Sequence, residues 1–262
     1  MSLRAVWRAV ALGILLVAAI VRFCLMRLKG PLTLERRALW VQASCIAILH
    51  GLGIRSRVEG RPPERGLIVA NHLSYLDVLI LSAATPCFFV AKAEIDRWPV
   101  FGQLARAGGT MFVDRSSRAS AERVTAEVEE RLKGTVPVLF FPEGTSTDGS
   151  QLLRFHSRLF TPAVEAGIPV TAASLRYVPE DGSAERELCW FGDDVFLPHL
   201  WKSLRGPNFC AEVQFGEPHV YTHRRIAADE TQAEIAAMRA ASSSDQDSDE
   251  DNDQDRKALQ AV

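Results

Sequence analysis

The chain has 262 residues, 47% hydrophobic and 24% charged, with a net charge of −2. That balance excludes a disordered chain, which cannot bury enough apolar surface to fold, and a many-spanning membrane protein, whose segments carry few charges. The total conceals two polar ends: up to Trp40 seven basic residues (Arg4, Arg8, Arg22, Arg27, Lys29, Arg36, Arg37) meet one acid, Glu35, whereas Asp245 to Asp255 holds seven acids and no base.

At the N-terminus, Ala9 to Val21 is free of charge but shorter than the ~20 residues needed to cross a bilayer, and Arg22 interrupts its extension. A second apolar stretch runs from Ala38 to Leu49. Two short segments flanked by arginine or lysine read as a membrane-seating helical pair over residues 1–52, lying in one leaflet or at the interface. A single snorkelling span is the alternative. A cleaved leader would need a small-x-small exit after the apolar run, where Arg22, Arg27 and Lys29 stand instead.

From Gly66 onward short β-rich runs alternate with helical ones. Strands are expected at Leu67–Ala70, Cys87–Ala91, Thr110–Val113, Val138–Phe141, Pro169–Ser174 and Cys210–Phe215. Helices are expected from Ser74, near Pro99 to Arg106, over Ser117–Lys133 and over Ser157–Ala166, with a short amphipathic piece at Leu197–Leu204. Alternation of this kind implies crossover connections, hence an α/β domain over residues 53–240 with a largely parallel or mixed sheet covered by helices. Residues 241–262, serine followed by the acidic run, have little to bury and are expected to be disordered. Without the acidic run the body has 30 basic against 25 acidic residues, which suits anionic lipid headgroups or cosubstrates. No zinc-knuckle spacing or basic-aromatic stripe supports nucleic-acid binding. The five cysteines are widely spaced, form no CxxC pair and sit in apolar surroundings, as buried, reduced thiols do.

Three motifs follow three of these strands. Asn71-His72-Leu73-Ser74-Tyr75-Leu76-Asp77 begins where Leu67–Ala70 ends, and Ser74-x-x-Asp77 has the form of a capping box. Residues five apart on one helix lie about 140° apart, so His72 and Asp77 can meet only if a turn precedes the helix. Asp77 would then accept from one ring nitrogen and leave the other to take a proton from a substrate hydroxyl. Alone, the pair reads more readily as a helix cap and an unrelated histidine. Gly109-Thr110-Met111-Phe112-Val113-Asp114-Arg115 delivers an arginine suited to phosphate at a strand end, and Phe141-Pro142-Glu143-Gly144-Thr145-Ser146-Thr147 forms a tight polar turn at another. There Glu143 can hydrogen-bond to backbone or to a substrate hydroxyl, and exposed amides can meet phosphate or an oxyanion.

In that order and spacing the three motifs closely resemble the glycerolipid acyltransferases, the family of bacterial 1-acylglycerol-3-phosphate acyltransferase, from about Gly60 to Pro218. The resemblance implies His72 as general base, Asp77 as its partner, and Arg115, Glu143 and Gly144, with Thr145 of the same motif, as the acceptor-binding set. It also implies transfer of a fatty acyl group from acyl-CoA or acyl-carrier protein to the hydroxyl of lysophosphatidic acid. No metal or resident cofactor is expected, and the partners are the bilayer, the lyso-lipid and the thioester donor, with the site facing the cytoplasm. The sequence departs from the family at Phe155-His156-Ser157-Arg158, which lacks the lysine and glycine of the usual Phe-Lys-x-Gly, and at Ala172-Ala173, where a proline is usual. These departures bear on the acceptor, for which another lyso-lipid such as lyso-ornithine lipid is the alternative. A serine hydrolase using Ser146 or Ser74, opposed by the absence of GxSxG, and a silent lipid-binding protein are the rival readings.

Overall fold

The computed structural model describes residues 2–114 and 116–259, with side chains described through Ala241. Seven strands, β1 (Arg55–Glu59), β2 (Leu67–Ala70), β3 (Phe88–Lys92), β4 (Met111–Val113), β5 (Val138–Phe140), β6 (Val170–Pro179) and β7 (Phe209–Phe215), form one sheet. Their order is β1-β7-β6-β2-β5-β3-β4. β6 and β7 pair antiparallel and every other neighbour pairs parallel, so the sheet is mixed.

The four residues of β2 are at most 1% exposed because the strand is central and covered on both faces. Leu67 and Val69 join Val138, Phe140, Val170 and Ala172 on one face, under α5 (Arg118–Leu132), the short α6 (Thr161–Glu165) and α8 (Arg224–Leu259). Ile68 and Ala70 join Leu139, Ala173, Leu175 and Tyr177 on the other, under α3 (Leu76–Ala84) and α2 (Leu34–Leu52). Full burial of each Leu, Ile or Val contributes about 1.5–3 kcal/mol, which fixes this short strand more firmly than its few ladder bonds could.

Several elements differ from the expectations. β1 was not expected, because all five of its residues are exposed and three are charged, the pattern of a protected sheet edge and not of a buried strand. β6 continues five residues past Ser174, since pairing with β7 runs from Ala173↔Phe215 to Pro179↔Phe209. α8 was not among the expected helices; its backbone runs from Arg224 to Leu259, and residues 260–262 of the acidic segment lie outside the described residues.

The apolar N-terminal stretch is also longer than its uncharged core. α1 (Leu3–Leu28) has 26 residues, about 39 Å of helix, and is long and apolar enough to cross a membrane. Leu3, Trp7, Val10, Ile14, Val17, Val21, Leu25 and Leu28 recur every three or four residues and are all at least 50% exposed. The opposite side packs on α2, where Trp40 Nε1 donates to Ala19 O at 3.0 Å, and on α7 (Phe196–Arg205). Arg8, only 6% exposed, fixes that end by donating to Leu204 O, Gly206 O and Asn208 Oδ1.

Candidate active site

β2, β5 and β4 run in the same direction, so their carboxyl ends and the three motifs emerge at one edge of the sheet, where open α/β sheets carry their sites. The backbone ladder between β2 and β6 ends at Ala70↔Ala173. Beyond it the side chain of Asn71 takes over: Nδ2 donates to Leu175 O at 2.9 Å, and Leu175 N donates to Oδ1 at 2.7 Å. This side-chain continuation of the sheet lets the main chain leave the ladder one residue before His72.

The turn that follows is held from several sides. His72 N donates to Glu143 Oε1 at 2.8 Å, and His72 O accepts from Thr147 N at 2.9 Å. Leu73 O accepts from Trp190 N at 2.9 Å, while Leu73 N and Ser74 N donate to Asp77 Oδ2 at 2.7 and 3.0 Å. Asp77 lies in the first turn of α3, where the helix dipole favours a carboxylate. Half of the expected capping box therefore forms, the half in which Asp77 reaches back to Ser74 N. The helix starts at Leu76 and not at Ser74, and Ser74 Oγ accepts weakly from Leu76 N at 3.4 Å.

This geometry brings His72 and Asp77 together. Nδ1 lies 2.7 Å from Asp77 Oδ2, with the histidine side chain 19% exposed and the carboxylate fully buried. An ionised Asp77 requires the Nδ1–H tautomer, which leaves Nε2 as a lone-pair acceptor with no partner among the described residues. The ring stacks on Phe141 at 4.0 Å and 10°, which fixes its plane. Sequence reasoning missed one member of this group: the hydroxyl of Tyr177, on β6, donates to Asp77 Oδ1. No local alternation marked it, since every residue of β6 from Val170 to Leu175 is buried.

The Glu143 turn is bound mainly to the protein. Glu143 is 4% exposed, and its second oxygen, Oε2, accepts from Leu153 N at 2.8 Å. Burial pushes its carboxyl above the usual range, opposed by the two backbone donors. Its visible role is to tie the His72 turn to the segment at Leu153. Glu143→Gln keeps only one acceptor oxygen, leaving an N–H of His72 or Leu153 facing an NH₂ group. We expect about 1–3 kcal/mol lower stability by denaturant unfolding, together with reduced turnover. Gly144 adopts φ 78°, a left-handed conformation suited to glycine, and donates its N–H to Phe141 O. The Thr145 side chain is exposed, and the N–H groups of Thr145 and Ser146 have no partner among the described residues. Arg115 lies outside the described residues; the neighbouring Asp114 accepts from the N–H and hydroxyl of Ser116. Neither serine considered as a nucleophile is hydrogen-bonded to a histidine: Ser146 Oγ donates to Trp190 O, and Ser74 Oγ faces Leu76 N.

Comparison with known proteins bears on the family and the fold. The sequence profile of the Acyltransferase family matches residues 55–176. The lyso-ornithine lipid O-acyltransferase of Pseudomonas aeruginosa is 36% identical over 189 residues, 72% of this chain and 71% of that protein. The 1-acyl-sn-glycerol-3-phosphate acyltransferase of Neisseria meningitidis is 38% identical over 173 residues, 64% and 67% of the two chains. The crystal structure of the 1-acyl-sn-glycerophosphate acyltransferase of Thermotoga maritima superposes with a TM-score of 0.65 at 19% identity, covering 91% of this chain and 95% of that one, and shares its fold.

Proposed function

The chain belongs to the Acyltransferase family, and from that premise we propose that it transfers a fatty acyl group from a thioester to the free hydroxyl of a lyso-lipid at a membrane surface. The observation that carries this reading is the His72–Asp77 pair at the carboxyl end of β2, with Nε2 unpartnered and no nucleophilic serine bonded to it among the described residues. Nε2 takes the proton of the acceptor hydroxyl as its oxygen attacks the thioester carbonyl, and Asp77 stabilises the imidazolium that forms. Collapse of the tetrahedral intermediate breaks the C–S bond, and the leaving thiolate recovers the proton from His72. The unpartnered amides of Thr145 and Ser146 supply donors for the oxyanion or the acceptor headgroup. The thioester brings its own activation, so the reaction calls for no resident cofactor.

The donor is acyl-CoA or acyl-carrier protein, and the apolar outer face of α1 seats the enzyme in the bilayer with the site toward the cytoplasm. An apolar stripe the full length of a helix is unfavourable in water and matches hydrocarbon. Two acceptors share the required hydroxyl. Lysophosphatidic acid fits an arginine such as Arg115 at a strand end. Lyso-ornithine lipid is supported by relatives of that name and by the Phe141–Asp148 loop, which brings no cation to the site.

The test is acyl transfer by protein in mixed micelles, with labelled acyl-CoA and acyl-carrier protein as donors and both lyso-lipids as acceptors. We expect esterified lipid from at least one acceptor, and the ratio of the two kcat/KM values assigns the substrate. Release of free fatty acid alone would favour a hydrolase, and no turnover with either acceptor would favour a binding protein.

A further inference from the structure

We propose that Tyr177 is a positioning residue for the catalytic pair: from β6 its hydroxyl holds the inner oxygen of Asp77 and so sets how strongly that carboxylate grips the imidazole of His72. The proposal rests on the general-base reading of His72 given above. The two oxygens of Asp77 have separate duties. Oδ2 accepts from His72 Nδ1, Leu73 N and Ser74 N, while Oδ1 accepts from the Tyr177 hydroxyl. Without that hydroxyl, a buried anionic oxygen would lack this donor, an expensive condition in a medium with little water.

Tyr177 is held in place for this contact. It is 1% exposed, and its ring meets that of Phe209 at 5.1 Å. Its own N–H donates to Glu185 Oε1 at 2.8 Å, and Glu185 Oε2 accepts from Arg239 Nη2 of α8 at 2.7 Å. The same Arg239 donates to Gly149 O at 2.8 Å and to Leu175 O, the carbonyl that Asn71 also uses. Burial, with the Asp77 charge beside it, drives the phenol well above its ordinary range, so it keeps its proton at working pH and acts as a permanent donor.

A donor on Oδ1 draws negative charge away from Oδ2. Removing it leaves Oδ2 the stronger acceptor, and the protonated imidazole is held more tightly. The acid limb of the kcat/KM profile reports protonation of the base in the free enzyme, so Tyr177→Phe moves this limb upward, by about half to one pH unit. 3-Fluorotyrosine at position 177 keeps the volume and strengthens the donor, and moves the limb downward. Among the described residues the other titratable groups around the pair include Glu143 after β5 and Glu185 and Cys189 after β6, with Arg239 of α8 against Glu185; all are unchanged in both variants.

The experiment records kcat/KM against pH in mixed micelles for wild type, His72→Ala, Tyr177→Phe and the fluorotyrosine protein, with thermal unfolding of each. Limbs displaced in opposite directions support the proposal, because a tyrosine that only filled space would leave the limb where it is. An unmoved limb in both variants, with His72 still required, overturns it. Activity retained by His72→Ala would remove the general-base reading itself. Should Tyr177→Phe fail to fold, the fluorotyrosine protein decides alone, a downward limb supporting the proposal and an unmoved one overturning it.

Discussion

Replacing His72 with alanine is expected to lower kcat/KM by about 10³-fold, within the range that a positioned proton acceptor contributes. Stability should change far less, because the bonds that hold this turn go through the main chain of His72 and not its ring: N–H to Glu143, and C=O from Thr147. The ring contributes its bond to Asp77 and its stack on Phe141. Thermal unfolding monitored by circular dichroism should therefore stay close to wild type. The space left against Phe141 also invites chemical rescue, and added imidazole should restore part of the activity. A variant that loses activity by unfolding would not respond to imidazole, whereas one that lacks only its base should.

Asp77→Asn is expected to cost on the order of 10²- to 10⁴-fold in kcat, with KM little changed. The amide oxygen can occupy the place of Oδ2 and still accept from Leu73 N and Ser74 N, so the turn keeps its shape. Lost are the negative charge that stabilises the imidazolium and the acceptor for the Tyr177 hydroxyl. A carboxylate that served only to cap α3 would tolerate this substitution at the catalytic level, since asparagine caps helices well. The kinetic comparison of kcat with KM, alongside a melting curve, separates the two roles.

Much of the α/β domain was legible because its strands are short apolar runs bounded by turn residues. Leu67–Ala70 matches β2 residue for residue, and Val138–Phe141 and Cys210–Phe215 fall within one residue of β5 and β7. β1 escaped detection for a physical reason: an edge strand with every side chain in solvent needs no hydrophobic period. The His72–Asp77 contact was legible from spacing and helix geometry as a contact that needs a turn ahead of the helix, although the helix begins at Leu76 and not at Ser74. Tyr177 was not, because Ser174 resembled a strand end and nothing local shows that β7 extends the pairing to Pro179. The Glu143 carboxylate could be recognised as the polar element of a tight turn. That its two oxygens are spent on the amides of His72 and Leu153 is a tertiary fact, as is the closure of β2 on β6 by Asn71.

The braces on the His72 turn also bear on when the enzyme can become active. Asn71 finds its partner 104 residues along the chain, Asp77 finds Tyr177 100 residues away, and His72 finds Glu143 71 residues away. Contacts so distant form late, after the loops between them have closed. During synthesis the HxxxxD segment emerges early, but it has no working geometry until β5 and β6 have joined β2. A nascent or partly folded chain thus carries His72 and Asp77 without the turn that joins them, and under the proposed reading it gains its activity only once the sheet is complete.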